Sequence, residues 1–208
     1  MLKARLIAAA ILVPLVVYGV CCLSTPVFSL ILAAIMLMAV WEWSHLVPVQ
    51  QVAIRVIYTL VMAAIMWMFW QAGLAQVIFP LLVWAMIWWV CALFWLSRPQ
   101  LWAVHSPLNV NLKLLAGALL ILPAWAALVT LHSSRERGPV LTLMMMVLVW
   151  RADSGAYFAG RQWGKTKLAP AISPGKTWEG VYGGLFSSLV FAAIAGMLFS
   201  ESIRWTLM

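Results

Sequence analysis

Residues 77–96 read VIFPLLVWAMIWWVCALFWL, twenty consecutive positions without one charged side chain. A helix rises about 1.5 Å per residue, so a run of this length crosses a hydrocarbon layer of about 30 Å. The rest of the chain is made of similar pieces. Apolar runs at 6–23, 27–43, 56–72, 112–131, 140–152 and 181–199 predict six further spans. The 140–152 run is short for a crossing and is expected to continue as buried helix through 153–160. Pro123 is expected to kink the 112–131 span, with neighbouring helices satisfying the freed backbone. With 66% hydrophobic and 9% charged residues and a mean hydropathy of +1.03, the chain is far from the make-up of a soluble domain. The fold class that follows is all-α: a polytopic integral membrane helical bundle of about seven transmembrane helices. No repeat, heptad seam or long linker divides it, so residues 1–208 are expected to form one membrane-embedded domain.

The formal charge of +8 does not point to nucleic acid, because no basic face around a water-soluble core can be assembled from this composition. It fits membrane topology instead. If Lys3 and Arg5 lie inside, the alternating spans place Arg55, Arg98, Lys113, Arg151, Arg161, Lys165, Lys167 and Lys176 inside with them. Arg135, Arg137 and Arg204 are left outside, a ten to three division that obeys the positive-inside rule. Cys21, Cys22 and Cys91 are odd in number, sit in apolar runs and match no disulfide or metal spacing. The basic, apolar N-terminus resembles a secretory signal, but the 6–23 run is too long and lacks a small-x-small cleavage site. An uncleaved first span is expected.

Chemistry concentrates in WRADSGAYFAGRQWGKTKLAPAISPGKTWEGVYGG, residues 150–184, the one long polar interval. Ser173-Pro174-Gly175-Lys176-Thr177 has the ending of a phosphate-binding loop, but that motif needs Gly at position 170, where Pro stands, and no strand is expected before it. Lys165, Lys167 and Lys176 are nonetheless point charges suited to phosphate oxygens, Ser173 and Thr177 add hydroxyl donors, and glycines at 160, 164 and 175 permit close backbone approach. Thr177 is also placed to cap the last helix and aim its free N–H groups at an anion. Topology alone also produces such a loop, which would then only attract anionic lipid. Asp153, the chain's only aspartate, is either a magnesium ligand or an ion-pair partner of Arg151 or Arg161. Glu42 and His45 read as interfacial anchors, and His105 and His132 as solvated loop residues. Glu179 is expected to pair with Lys176, to cap the last helix, or to be a second metal ligand. Gly180, Gly184 and Ser188 read as a packing face.

The runs Asp153-Ser154-Gly155-Ala156-Tyr157, Gly160-Arg161, Gly164-Lys165, Lys167-Leu168-Ala169-Pro170 and Ile172 through Gly180 closely resemble the middle of bacterial phosphatidate cytidylyltransferases, also called CDP-diacylglycerol synthases. The opening Met1-Leu2-Lys3-x-Arg5-Leu6-Ile7 and Trp41-Glu42-Trp43 are similar too, so the resemblance covers essentially the whole chain. It implies a magnesium-dependent enzyme of the bacterial inner membrane, multi-pass, with residues 151–179 facing the cytoplasm. Its substrates would be CTP and phosphatidic acid, and its products CDP-diacylglycerol and pyrophosphate. Asp153 and Lys176 would be catalytic, Asp153 near the metal. Arg161, Lys165, Lys167, Ser173, Lys176 and Thr177 would bind substrate. The bilayer is a partner, a second copy of the chain is a candidate one, and nucleic acid is not.

Members of that family continue beyond this length into a second motif whose aspartates are thought to bind the metals. The expectation from sequence is therefore a chain with the N-terminal and middle parts of the fold and little turnover of its own. A CTP-dependent polyprenol kinase and an inactive lipid-binding or assembly subunit are the competing readings. A transporter is disfavoured, because no paired broken helices accompany Asp153.

Overall fold

A computed structural model describes residues 2–47, 51–96, 107–134, 137–170 and 173–206. Seven helices follow in order: α1 (Leu2–Cys22), α2 (Thr25–Leu46), α3 (Val52–Ala72), α4 (Leu74–Leu96), α5 (Pro107–His132), α6 (Gly138–Trp163) and α7 (Trp178–Thr206). Between α6 and α7 lies a small antiparallel hairpin, β1 (Lys167–Ala169) and β2 (Ser173–Thr177). The all-α membrane class holds, and this hairpin is its one addition among the described residues. Among those residues α2, α3, α4, α5 and α7 are long and apolar enough to cross a membrane. In α1 the apolar stretch described is Ala10–Cys22. α6 is long but not apolar enough, since Arg151, Asp153 and Arg161 all fall in its second half.

Two compact units emerge from the chain that the sequence reads as one domain: Met1–Val140 and Leu141–Met208. In the first, α5 is the central helix, with 39% of its apolar window buried against 11 to 22% in α2, α3 and α4. Its residues Ile121, Leu122, Trp125, Ala126 and Val129 form the core with Val40, Met62, Met66 and Leu74. α5 continues as helix through Pro123.

Hydrocarbon offers no hydrogen bonds, so side chains that reach across to backbone carbonyls tie helices together there. At one end of this unit the Trp43 indole N–H donates to the Lys113 carbonyl (2.8 Å) and the Tyr58 hydroxyl to the Leu114 carbonyl (2.9 Å). At the other end His132 is buried, not solvated as its loop-like sequence suggests. A carbonyl only accepts, so Nε2 carries a proton and donates to the Val20 carbonyl at 2.9 Å, while Nδ1 meets the Thr25 hydroxyl at 3.0 Å. Its ring stacks on Phe28 with centroids 4.2 Å apart. These contacts join the ends of α1, α2 and α5 that an alternating up-and-down topology brings together. His105 lies outside the described residues. Cys21, Cys22 and Cys91 are free and exposed.

In the second unit α6 and α7 run antiparallel with almost no side chain between them. A Cβ on Gly155 would stand 2.6 Å from the Gly183 carbonyl oxygen, and one on Gly183 would collide with the Cβ of Ala159. Gly184 and Gly180 meet the Ala152 and Ala156 carbonyls in the same way, each at 3.0 Å. The small-residue face of Gly180 and Gly184 therefore does pack helices. Ser187 extends the contact, its hydroxyl donating to the Arg151 carbonyl (3.0 Å), whereas Ser188 bonds within its own helix.

Two outcomes follow for stability in detergent. Gly183→Val should cost about 1–3 kcal/mol or prevent folding, because the side chain must enter occupied space. Gly196→Ala, where a Cβ would meet nothing within 4 Å, should stay within about 0.5 kcal/mol of the parent. Equal unfolding temperatures for the two variants would contradict the close contact. His132→Phe keeps the stack on Phe28 but strands the Val20 carbonyl and the Thr25 hydroxyl, a loss of about 1–2 kcal/mol. Unchanged thermal unfolding would remove His132 as a tie.

Candidate functional site

The site is built where α6 stops. The Gly164 N–H donates to the Gly160 carbonyl at 3.1 Å, and a Cβ on Gly164 would press into that carbonyl and lie 2.8 Å from Thr177 Cγ2. Only glycine lets the chain leave the helix so close to Thr177. From there β1 and β2 pair antiparallel, Lys167 opposite Thr177 and Ala169 opposite Ser173. Between those two pairs the register is irregular, because five residues of β2 face three of β1. The surplus lies in Pro174, Gly175 and Lys176, all exposed, and Pro174 has no N–H to give the ladder. The strand thus bulges outward and presents Lys176 on the bulge. The expectation of no strand before this motif is corrected, since β1 precedes Ser173–Thr177, which is itself a strand. It belongs to a hairpin and not to the strand–loop–helix unit of a phosphate-binding loop.

Thr177 ends the strand and begins α7. It is buried among Gly160, Gly164 and Gly180, and its Oγ1 accepts the Gly180 N–H at 3.2 Å, which caps the helix as its sequence position predicts. The Trp178 N–H is also taken, donating to the Thr166 carbonyl at 3.0 Å. Thr166 returns the contact: its own N–H donates to both carboxylate oxygens of Glu179, at 3.1 and 3.3 Å. The first residues of α7 therefore hold Thr166 by both of its backbone polar groups. The donors expected to face an anion are partly spent inside the protein.

Lys167 lies on β1, Lys176 on β2 and Lys165 just before the hairpin, all exposed, with Glu179 as the acid nearest in sequence. Ser173 sits at the far end of β2 from Thr177. Arg161 lies in the last turn of α6, where its guanidinium donates to the Tyr157 hydroxyl at 3.0 Å. Asp153 does not join the lysines. It is exposed ten residues before the end of α6, hence about 15 Å along the helix from that end. Neither of its expected ion pairs, to Arg151 or to Arg161, forms among the described residues, and Arg161 turns to Tyr157. The pair expected between Glu179 and Lys176 does not form either, the Glu179 carboxylate being on the Thr166 N–H. Asp153, Tyr157 and Arg161 recur every four residues and so share one exposed stripe of α6.

No group of three or more His, Cys, Asp or Glu side chains that could hold a metal exists among the described residues. A single exposed carboxylate fits magnesium only as one ligand among waters and phosphate oxygens, a coordination that this ion commonly adopts.

Thr166 is the residue that sequence reasoning missed. Its side chain carries no signal, because the backbone does the work. The acid in the first turn of α7 was the available hint, since carboxylates favour helix N-termini.

A family model described as "Cytidylyltransferase family" matches residues 3–208. The chain is 40% identical over 189 residues to a phosphatidate cytidylyltransferase of Pseudomonas aeruginosa, covering 89% of this chain and 67% of that protein. It is 35% identical over 208 residues to the phosphatidate cytidylyltransferase of Haemophilus influenzae, covering 93% of this chain and 72% of that protein. A Staphylococcus aureus protein of the same name is 48% identical over 59 residues, 28% of this chain and 23% of that one. Sequence motifs, membrane helices and a match along nearly the full length agree, and the chain belongs to the cytidylyltransferase family.

Proposed function

We propose that this protein transfers a cytidylyl group from CTP to phosphatidate, giving CDP-diacylglycerol and pyrophosphate. The observation that carries the reading is a hairpin bearing three exposed lysines at the foot of a candidate membrane span. It occurs in a chain similar over most of its length to phosphatidate cytidylyltransferases. A phosphate oxygen of phosphatidate attacks the α-phosphorus of CTP and forms the new P–O bond. The bond from that phosphorus to the oxygen bridging to the β-phosphate breaks, and pyrophosphate leaves with the electron pair. Nucleophile and electrophile are both anions, so the protein's task is to neutralise charge and fix geometry.

Lys176, carried outward on the bulge, takes the leading role at the phosphates, with Lys165, Lys167 and Arg161 beside it and the Ser173 hydroxyl as a further donor. Thr177 contributes through the cap that holds the strand against α7. Asp153 would be the protein's ligand to magnesium, which when bound supplies positive charge to the polyphosphate. Such a reaction needs the hairpin on the side where CTP is found. The ten to three division of basic residues supports a cytoplasmic hairpin in a bacterial inner membrane.

The test uses the purified protein in mixed micelles with phosphatidate, magnesium and CTP labelled at either the α- or the γ-phosphate. Label is expected in lipid from the α position only, at the low rate that the sequence leads one to expect of this chain. Transfer from the γ position would replace this reading with a lipid kinase. Periodate-oxidised CTP, which reacts with lysines, should mark Lys165, Lys167 or Lys176 and be displaced by CTP. Displacement by sulfate as readily as by CTP would reduce the hairpin to a docking surface for anionic headgroups. Lys176→Ala should lower turnover by about tenfold or more, the loss of one charge-assisted contact at the reacting phosphates.

A further inference from the structure

Glu179 is an anomaly on a surface built to attract phosphate. Its negative charge lies three residues from Lys176 and should weaken anion binding there. The contacts explain why it is present: the carboxylate faces backbone, receiving the Thr166 N–H on both oxygens across thirteen residues of sequence. Together with the Trp178 N–H on the Thr166 carbonyl at 3.0 Å, this fastens the residue between Lys165 and Lys167 to the start of α7. The same α7 start is seated on α6 by Thr177 among Gly160, Gly164 and Gly180. Hydrogen bonds to a charged acceptor are stronger than neutral ones, so Glu179 adds a charge-assisted fastening to these.

The geometry points to Glu179 as the positioning residue of the lysine hairpin. It acts through the Thr166 backbone to hold Lys165 and Lys167 in place for the polyphosphate of the substrate, and it ligates no metal. The substrate part of this statement rests on the cytidylyl-transfer reading, while the positioning part does not. Glutamine keeps an oxygen able to accept the Thr166 N–H and loses only the charge, whereas alanine loses the acceptor. A positioning residue and a metal ligand therefore respond differently to these two substitutions.

The first measurement is trypsin cleavage of the intact protein in micelles, followed bond by bond by mass spectrometry, which needs no activity. Glu179→Ala should speed cutting after Lys165 and Lys167 by about tenfold or more, Glu179→Gln by less than about threefold, and neither should alter cutting after Arg55. Uniform acceleration at all three sites would mean a general loss of stability, and no acceleration would mean no fastening. Either result overturns the inference.

The second measurement is turnover. Glu179→Ala should raise KM for CTP by about tenfold with kcat within about threefold, and Glu179→Gln should restore most of the KM. If both variants lose kcat equally and need more magnesium, Glu179 is a metal ligand and the inference fails. Local protection in the trypsin assay from a protein that transfers no cytidylyl group would retain the positioning role and discard the substrate reading alone.

Discussion

Two helix backbones meet at Gly155 and Gly183 with no room for a side chain, and the site depends on that approach. Helices in a membrane gain little from burying apolar surface against each other, because lipid is equally apolar. Their association must come from dense packing and from polar groups that find partners. Small residues at 152, 155, 156, 159 and 160 of α6 and at 180, 183, 184 and 187 of α7 supply both, since they expose carbonyls to close contact and to the Ser187 hydroxyl. Once the two axes are this close, the chain between them has only residues 164–177 in which to turn back. A hairpin seated on Thr177 is how it does so.

The first unit solves the same problem with larger side chains. Trp43, Tyr58, Trp125 and His132 each send a ring N–H or hydroxyl to a carbonyl on another helix, and the carbonyls are those of Lys113, Leu114, Ser29 and Val20. Rings carry apolar area and a donor in one side chain, so they pack and hydrogen-bond at once. The tryptophan-rich composition thus serves the interior as well as any interfacial belt. Gly117 marks the cost to α5, because a Cβ there would overlap the Trp43 ring.

The helices were legible in the sequence because hydrophobic runs are local. Runs at 27–43, 56–72, 77–96 and 112–131 fall inside α2 to α5, and each observed helix is longer. The extra turns are polar ones such as those holding Arg55 and Asn109, which continue the hydrogen-bond ladder without contributing to an apolar count. The cap at Thr177 was legible for the same reason. His132 was not, since its partners Val20 and Thr25 are 112 and 107 residues away in sequence and its neighbours Ser133 and Ser134 look like a loop. The hairpin was hidden differently: its strands are short and interrupted by Pro174 and Gly175, residues that ordinarily argue against a strand.

What holds the phosphates can be narrowed by asking which donors remain. A helix N-terminus is a natural anion site, but at α7 the Trp178 N–H goes to Thr166, the Gly180 N–H to Thr177, and a carboxylate already stands in the first turn. A phosphate placed there would displace the cap and face Glu179 at close range. The lysines stay exposed, Lys176 on the bulge, Lys167 on β1 and Lys165 just before that strand, and their ammonium groups are not spent on the cap. A mobile ammonium on a long stem can also follow a phosphate as charge moves from the attacking to the leaving oxygen, which a fixed backbone donor cannot do. On the proposed cytidylyl-transfer reading, the acid therefore divides the labour at this turn: the helix end holds the loop, and the loop is left for the anion.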